Sequence, residues 1–282
     1  MTEPATAERA AVAYCADMVQ KHDPDRFLTV MLAPAPLRGG LASLYAFNLE
    51  VAKTREAVTE GMIGDIRLQW WRDAVDECFS DKQPRRHAVV EALAETIRRH
   101  DLPRNPFDRL IAARAADLDD EPPATRAALA DYLDGTAVAL ADLALGVLGI
   151  EDRDRIKAGR EAALAFATIG QVRALPSLLL QRRNRLPLEM MNDHRIDTRA
   201  LSEMVFHPSL GDLIEELCDK AAAHVLAARS VRPAAAYPVV AQARIADWYR
   251  KRLKKADYNP FSHSIEKKPV LLPLLLMADR VI

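Results

Sequence analysis

Apolar residues recur at spacings of three and four along most of this chain, which is the spacing that lines one face of an α-helix. The clearest stripe consists of Leu133, Ala137, Leu140, Ala141, Ala144, Leu145 and Leu148. Glycine accounts for only 10 of the 282 residues, whereas strong helix formers such as alanine, leucine, arginine and glutamate are frequent. The sequence therefore predicts an all-α fold. It argues against an all-β fold and against a doubly wound sheet with a glycine-rich phosphate loop.

The predicted helices follow one another without a composition shift, a Gly/Ser linker or an internal repeat. They are expected near residues 5–21, 24–32, 37–59, 62–80, 85–100, 104–119, 124–149, 153–181, 210–230, 234–256 and 270–280. The interval 182–209 has no clear periodicity. We therefore expect a single domain over residues 1–282, with residues 1–8 as a flexible N-terminal arm.

Charge and cysteine content argue against several classes of function. Lys and Arg total 39 and Asp and Glu total 40, so the formal net charge is −1, and no excess of basic charge marks a nucleic-acid-binding protein. Cys15, Cys78 and Cys218 are far apart and form no zinc-binding pair. We expect no nucleic-acid partner and no bound zinc.

The sequence also bears on location. The N-terminal residues lack the basic and apolar regions of a signal peptide, and no run of about 18 apolar residues suggests a membrane span. We expect a soluble cytoplasmic protein. The basic run from Arg250 to Lys255 follows Trp248 and Tyr249. It is either a solvated helix face or a peripheral contact with anionic lipid on the inner face of a bacterial inner membrane.

Short motifs in a fixed order carry the functional information. Leu44-Tyr45-Ala46-Phe47 opens a helical segment with Arg38 six residues before it, and Arg173 precedes Pro187 by fourteen residues. Together with Tyr132, these positions resemble the squalene/phytoene synthase family of head-to-head prenyl synthases. The resemblance implies an all-α, isoprenoid-synthase-like bundle around a central apolar cavity. It also implies two aspartate-rich helices that hold Mg²⁺ ions, which stabilise the departing diphosphate of a prenyl substrate.

This chain departs from the family pattern at the metal-binding positions themselves. The first motif, Asp-Asp-x-x-Asp in the family, is replaced by Ala52-Lys53-Thr54-Arg55-Glu56. The second motif carries two aspartates four residues apart, a spacing that places both on one helix face, but here Ala174 and Leu178 occupy those positions. Pro176 lies between them and is expected to bend or end the helix. We therefore expect no catalytic residue, no bound metal and no other cofactor.

A closer resemblance links the chain to one branch of this superfamily, the respiratory complex I assembly factor six proteins, which themselves have degenerate aspartate motifs. The segments that carry it are Phe47–Ala52, Ile63–Trp71, Arg173–Pro176 and Leu271–Leu274. This resemblance implies a catalytically inactive protein that helps to assemble NADH:ubiquinone oxidoreductase. A complex I subunit or assembly intermediate is the implied partner.

Two alternatives remain open at this point. One is an active prenyl transferase that joins prenyl diphosphates, with Mg²⁺ or with cationic side chains that grip the phosphate. The other is a non-catalytic protein that binds an isoprenoid lipid or a quinone in its cavity. The candidate ligand- or phosphate-binding residues for both alternatives are Arg38, Tyr45, Lys53, Arg55, Arg173, Arg182 and Arg183.

Overall fold

The computed structural model describes residues 3–55, 61–80, 83–266 and 271–279, and it contains no β-strand within these ranges. Its fifteen α-helices are α1 (Glu3–His22), α2 (Pro24–Met31), α3 (Ala35–Ala52), α4 (Gly61–Cys78), α5 (Ala88–His100), α6 (Asn105–Ala113), α7 (Arg126–Leu133), α8 (Ala139–Val147), α9 (Arg153–Leu180), α10 (Leu188–Asp193), α11 (Thr198–Ser202), α12 (Pro208–Ala228), α13 (Tyr237–Lys255), α14 (His263–Glu266) and α15 (Leu272–Asp279). The predicted all-α, single-domain class is confirmed.

Helix α3 is the innermost helix of the N-terminal half. Its residues 41–48 are all buried, because an apolar helix without a polar stripe is stable only when it is covered on every side. Helices α1, α5 and α8 pack around it. Phe47 meets Trp71 and Phe107 edge to face, with ring centroids 5.5 and 5.6 Å apart. This packing holds the motif-bearing helix rigidly.

Helix α9 organises the C-terminal half and packs against α12 and α13. Pro176 was expected to bend or end the helix, and the second option is wrong, because α9 continues to Leu180, as the helix predicted over 153–181 requires. Proline removes one backbone hydrogen bond, the one to the carbonyl of the residue four positions earlier. Here that loss falls near the end of a long helix whose neighbours hold it in place. Helix α9 is also the one helix among the described residues that is long and apolar enough to cross a membrane, judged by length and composition alone.

A π-helical turn interrupts the helix predicted over 124–149. Residues Asp134–Val138 form this turn between α7 and α8. The Thr136 hydroxyl donates to the Tyr132 carbonyl over 2.7 Å within it. Such single π turns inside α-helices occur frequently at functional sites.

Other boundaries differ by several residues from those predicted. The helix expected over 37–59 ends at Ala52 and is followed by a turn at residues 53–55. Helix α1 includes residues 3–8 of the expected arm, and Glu8 pairs with Arg99 of α5 over 3.1 Å. The interval 182–209 contains the short helices α10 and α11. A polar capping side chain, Asp197, marks the start of α11, whereas α10 begins after Pro187 without a side-chain cap.

Two glycines test how tightly the helices near the π turn are packed. A Cβ at Gly135 would lie 2.6 Å from the Cβ of Ala113 on α6, whereas a Cβ at Gly170 of α9 would meet nothing within 4 Å. We expect Gly135→Ala to lower the free energy of unfolding by about 1–3 kcal/mol through overpacking. We expect Gly170→Ala to raise it by about 0.5–1 kcal/mol through helix propensity. Urea unfolding followed by circular dichroism measures both, and equal effects of the two substitutions would contradict this packing.

Candidate functional site

A small cavity lies between α3 and α9, the two helices that carry the motif positions. Its volume is about 150 Å³, and its polar lining includes Arg26 from α2, Asn48 from α3, Arg114, Tyr132 and Gln171 from α9. The buried Nε atoms of Arg26 and Arg114 have no hydrogen-bond partner among the described residues. The central cavity of this bundle therefore has a polar, cationic wall beside its apolar one.

The Asp117 carboxylate is hydrogen-bonded to two side chains that line the cavity, those of Arg114 and Tyr132. Residues Arg114–Leu118 form a short 3₁₀ helix after α6, which places Arg114 and Asp117 on one side. The Asp117 carboxylate accepts hydrogen bonds from Arg114 Nη1 (3.1 Å) and from the Tyr132 hydroxyl (2.9 Å). Arg114 also donates to the Tyr132 oxygen (2.8 Å) and to Asn48 Oδ1 (3.2 Å). This network links α3, the 3₁₀ helix and α7.

Tyr132 is the central side chain of this network. Burial raises the pKa of Tyr132 to about 12, with Arg114 opposing the shift and Asp117 adding to it. The guanidinium of Arg185 lies over the Tyr132 ring, 4.8 Å from its centroid. Tyr132 lines both the cavity and a surface depression of about 430 Å³. Its ring therefore stands between the cavity and the outside.

Arginines that follow α3 and α9 in the chain contact the same segment, residues 116–120. After α9, Arg183 Nη2 donates to the Asp117 backbone carbonyl (2.5 Å) and Arg185 Nη1 to the Ala116 carbonyl (2.6 Å). After α3, Arg55 pairs with Asp120 over 2.5 Å. Burial lowers the pKa of Arg183, and the positive charges of Arg55 and Arg185 lower it further, against the attraction of Asp117. We call Arg55, Asp117, Arg183 and Arg185 the mouth, and within it the other three charges act on the Arg183 guanidinium.

Two of the candidate residues, Arg55 and Arg183, belong to this mouth, and Lys53 lies half-buried in the turn beside it. Arg173 does not: its Nη1 pairs with the buried Asp25 carboxylate (2.8 Å), and its guanidinium stacks on Tyr249 at 3.5 Å from the ring centroid. The Asp25 carboxylate thus already compensates the Arg173 charge that a bound phosphate would need.

The remaining candidates lie apart from the mouth. Arg38 donates from Nε to the Ala33 carbonyl (2.9 Å) and lines a different groove, between α1, α3 and α5. Tyr45 is fully buried, and Gln242 donates to its hydroxyl oxygen over 3.4 Å. Arg182 is exposed and adopts a left-handed backbone conformation, with φ of 57°, after the end of α9.

Sequence reasoning missed Arg114, Asp117 and Arg185. Arg185 stands in the run Arg182–Arg185, whose cationic character was visible, but Arg114 and Asp117 look like ordinary polar residues of a surface helix. Their partners lie across the fold, and the bond from Arg114 to Asn48 spans 66 positions. The spacing of three between Arg114 and Asp117 is the one available signal, and it is common on solvated helices.

Comparison with known proteins now settles the family. The sequence model described as squalene/phytoene synthase matches residues 19–274. The chain belongs to the squalene/phytoene synthase family.

Relatives and solved structures agree with this assignment. Assembly factor 6 of NADH dehydrogenase (ubiquinone) complex I from Bos taurus is 30% identical over 266 residues, covering 93% of this chain and 80% of that protein. The protein of the same name from Homo sapiens is 28% identical over the same length. A dehydrosqualene synthase crystal structure superposes with a TM-score of 0.85 at 18% identity, covering 99% of this chain and 98% of that one. Squalene synthase HpnC from Alicyclobacillus acidocaldarius gives a TM-score of 0.77 at 20% identity, covering 90% and 97%.

Within the squalene/phytoene synthase fold, the degenerate metal positions continue the walls of the cavity. Ala52 lies one turn beyond Asn48 on α3, and Ala174 and Leu178 lie one and two turns beyond Gly170 on α9, so each set shares a helix face with a residue that lines the cavity. Glu56 lies outside the described residues.

The described residues at these positions do not fit Mg²⁺. Alanine and leucine supply no oxygen ligand, Lys53 adds a positive charge, and the nearby carboxylate of Asp117 is already held by Arg114 and Tyr132. Within the described ranges, no group of three or more His, Cys, Asp or Glu side chains is arranged to hold a metal ion. The expected absence of a metal stays a prediction, and the donor set here gives it a physical reason.

Replacing the Asp117 carboxylate tests the network. We expect Asp117→Asn to lower the free energy of unfolding by about 3–5 kcal/mol, because it leaves the mostly buried charges of Arg114 and Arg185 without their counter-ion. The matched control is Asp120→Asn, which removes the exposed partner of Arg55 and is expected to cost less than about 1 kcal/mol. Thermal and urea unfolding measure both, and equal losses for the two variants would show that Asp117 is not the central ion.

The pKa of Tyr132 gives the network a signature at alkaline pH. A tyrosine in the unfolded chain has a pKa of about 10, whereas burial raises that of Tyr132 to about 12. The stabilisation by the neutral hydroxyl is therefore fully present below about pH 10 and is lost as the pH rises towards 12. We expect the stability of Tyr132→Phe to fall less steeply than that of the wild type between these limits. Urea unfolding at a series of pH values compares the slopes, and parallel curves would refute the shift.

Proposed function

We propose that this chain is a non-catalytic member of the squalene/phytoene synthase family that assists the assembly of respiratory complex I. The observation that carries the proposal is the match, over 93% of the chain, to proteins named complex I assembly factor 6. The client on this proposal is a complex I subunit or an assembly intermediate. The protein acts in the cytoplasm and peripherally at the inner face of a bacterial inner membrane, where such a client is assembled.

The site geometry supports a non-catalytic role. In a prenyl synthase, metal charge stabilises the diphosphate that leaves the substrate. Here the corresponding mouth is occupied by arginines that are paired with Asp117, Asp120 and backbone carbonyls. Arginine side chains bind phosphate, but those in this network already have partners, and the described positions offer no metal ligands. This arrangement favours a non-catalytic site over one that promotes departure of a diphosphate.

The size of the cavity points the same way. Ligand pockets usually have volumes of about 300–1,000 Å³, whereas the cavity beside Tyr132 measures about 150 Å³. Two prenyl diphosphates, a prenyl lipid or a quinone would fit into this cavity only if its walls moved apart. The unpartnered Nε atoms of Arg26 and Arg114 suit a water molecule or a small anion better than a hydrocarbon chain.

Deletion of the gene in its own host, grown on substrates that require complex I, tests the assembly role. We expect membranes of the deletion strain to lose most NADH:ubiquinone oxidoreductase activity and most of the fully assembled complex on native gels. The wild-type gene should restore both, and Asp120→Asn should do so equally well, because it disturbs an exposed ion pair alone. Normal complex I in the deletion strain would overturn the assembly role.

The purified protein separates the two alternatives. We expect no turnover of farnesyl or geranylgeranyl diphosphate with Mg²⁺ or Mn²⁺, and native mass spectrometry should show no copurified prenyl lipid or quinone. Turnover that depends on a metal would replace the proposal with the prenyl transferase. A stoichiometric prenyl lipid or quinone in the native spectrum would replace it with a carrier.

A further inference from the structure

The last described helix presents an apolar ridge to solvent. Leu271, Leu274, Leu275 and Met277 are exposed by 66, 63, 38 and 62%, and we call these four side chains the α15 ridge. Leu272 and Leu276, on the other side of the same helix, are fully buried. A soluble protein rarely exposes several large apolar side chains next to one another unless that surface binds something.

The ridge sits on the start of α13. The Tyr237 hydroxyl donates to the Leu276 backbone carbonyl over 2.6 Å, and both residues are buried. Leu272, Leu276 and Tyr237 belong to one apolar cluster of the C-terminal half. Helix α15 is therefore held in a fixed position by its inner leucines, and the outward direction of the ridge follows from that anchoring.

A cationic edge continues from beneath the ridge along α13. Arg244, Lys251 and Lys255 follow Tyr237 by 7, 14 and 18 residues, so they lie within about 40° of Tyr237 around the helix axis. Lys251 and Lys255 are exposed. Arg229 and Arg232, both exposed, line a depression of about 470 Å³ together with Tyr237 and Arg244.

One buried carboxylate lies among the cations of this part of the molecule. The Asp247 carboxylate lies 2.8 Å from Arg250, 2.9 Å from Lys251 and 3.7 Å from Arg229. It thus faces three cations at once. Their positive charges outnumber this single carboxylate.

We infer that the α15 ridge and the cationic edge of α13 form a docking surface for an anionic phospholipid bilayer. The ridge enters the boundary between headgroups and acyl chains, and the cations contact lipid phosphates, as in interfacial amphipathic helices. Helix α15 has eight residues, too few to span a bilayer, which takes about 20. Exposed lysines lie further along the Tyr237 face of α13, and lysine is depleted in the cores of protein interfaces. This inference adds lipid binding to the proposed assembly role. It depends on that role in one respect, namely which membrane the surface binds.

Flotation of the purified full-length chain with vesicles tests the surface. The probes are phosphatidylcholine vesicles with and without about 30% phosphatidylglycerol, at low and high salt. We expect binding to the anionic vesicles at low salt and at least tenfold weaker binding to pure phosphatidylcholine or at high salt. Leu274→Ser/Met277→Ser should weaken anionic-vesicle binding at least tenfold. Lys251→Gln/Lys255→Gln should weaken it about 25-fold, or about fivefold for each lysine.

Matched controls separate this surface from general stickiness. Ile66→Ser on α4 removes a side chain that is 62% exposed, as Met277 is, but in the other half of the molecule. Lys157→Gln removes an exposed lysine near the start of α9. Both controls should bind vesicles as the wild type does, and thermal unfolding of each variant checks its fold.

Three results would overturn the inference. They are no binding of the wild type to anionic vesicles, equal loss in the control variants, and a ridge variant that changes the oligomeric state but not vesicle binding. The last result would assign the ridge to a protein interface. Because vesicle binding is measured without complex I, its outcome is independent of the deletion experiment, and each proposal can fail alone.

Discussion

The carboxylate of Asp117 is the ion on which the centre of this molecule depends. It offsets the charges of Arg114 and Arg185, orients the Tyr132 hydroxyl, and lies in a segment whose backbone carbonyls receive Arg183 and Arg185. Buried or half-buried guanidinium groups are costly unless a carboxylate faces them. The ends of α3 and α9, where the family resemblance places the metal-binding motifs, are here joined by arginines to a third segment.

The change from metal-binding carboxylates to paired arginines explains how this fold persists without metal ligands at those positions. Facing clusters of carboxylates repel one another unless cations lie between them, so a metal site lowers the stability of the metal-free protein. Replacing those carboxylates with Ala52, Ala174 and Leu178, and placing paired arginines nearby, removes the repulsion. On the proposed non-catalytic role, the helices of the bundle keep their arrangement without a bound ion.

The sequence was sufficient for most helices and for the family, because periodicity and short motifs are local signals. It was not sufficient for the counter-ions. Arg173 was a reasonable phosphate-binding candidate until the fold placed Asp25 beside it from 148 positions away. The same holds for Arg114 and Asn48. At Pro176 the sequence carries conflicting signals, because the apolar pattern predicted a helix over 153–181 whereas the proline predicted a bend or an end. Packing of α9 against α12 and α13 accompanies its continuation to Leu180.

The π turn at Asp134–Val138 has a consequence for how this network evolves. A π turn accommodates one more residue than an α turn, and each residue of an α-helix advances the side chains by about 100°. If one residue of this turn were deleted, α7 and α8 would join as one regular helix, and Tyr132 would rotate by about that angle relative to α8. The phenol would then leave the gap between the cavity and the surface. A single-residue deletion in the π turn would thus move Tyr132 relative to α8, which a substitution in the turn does not require.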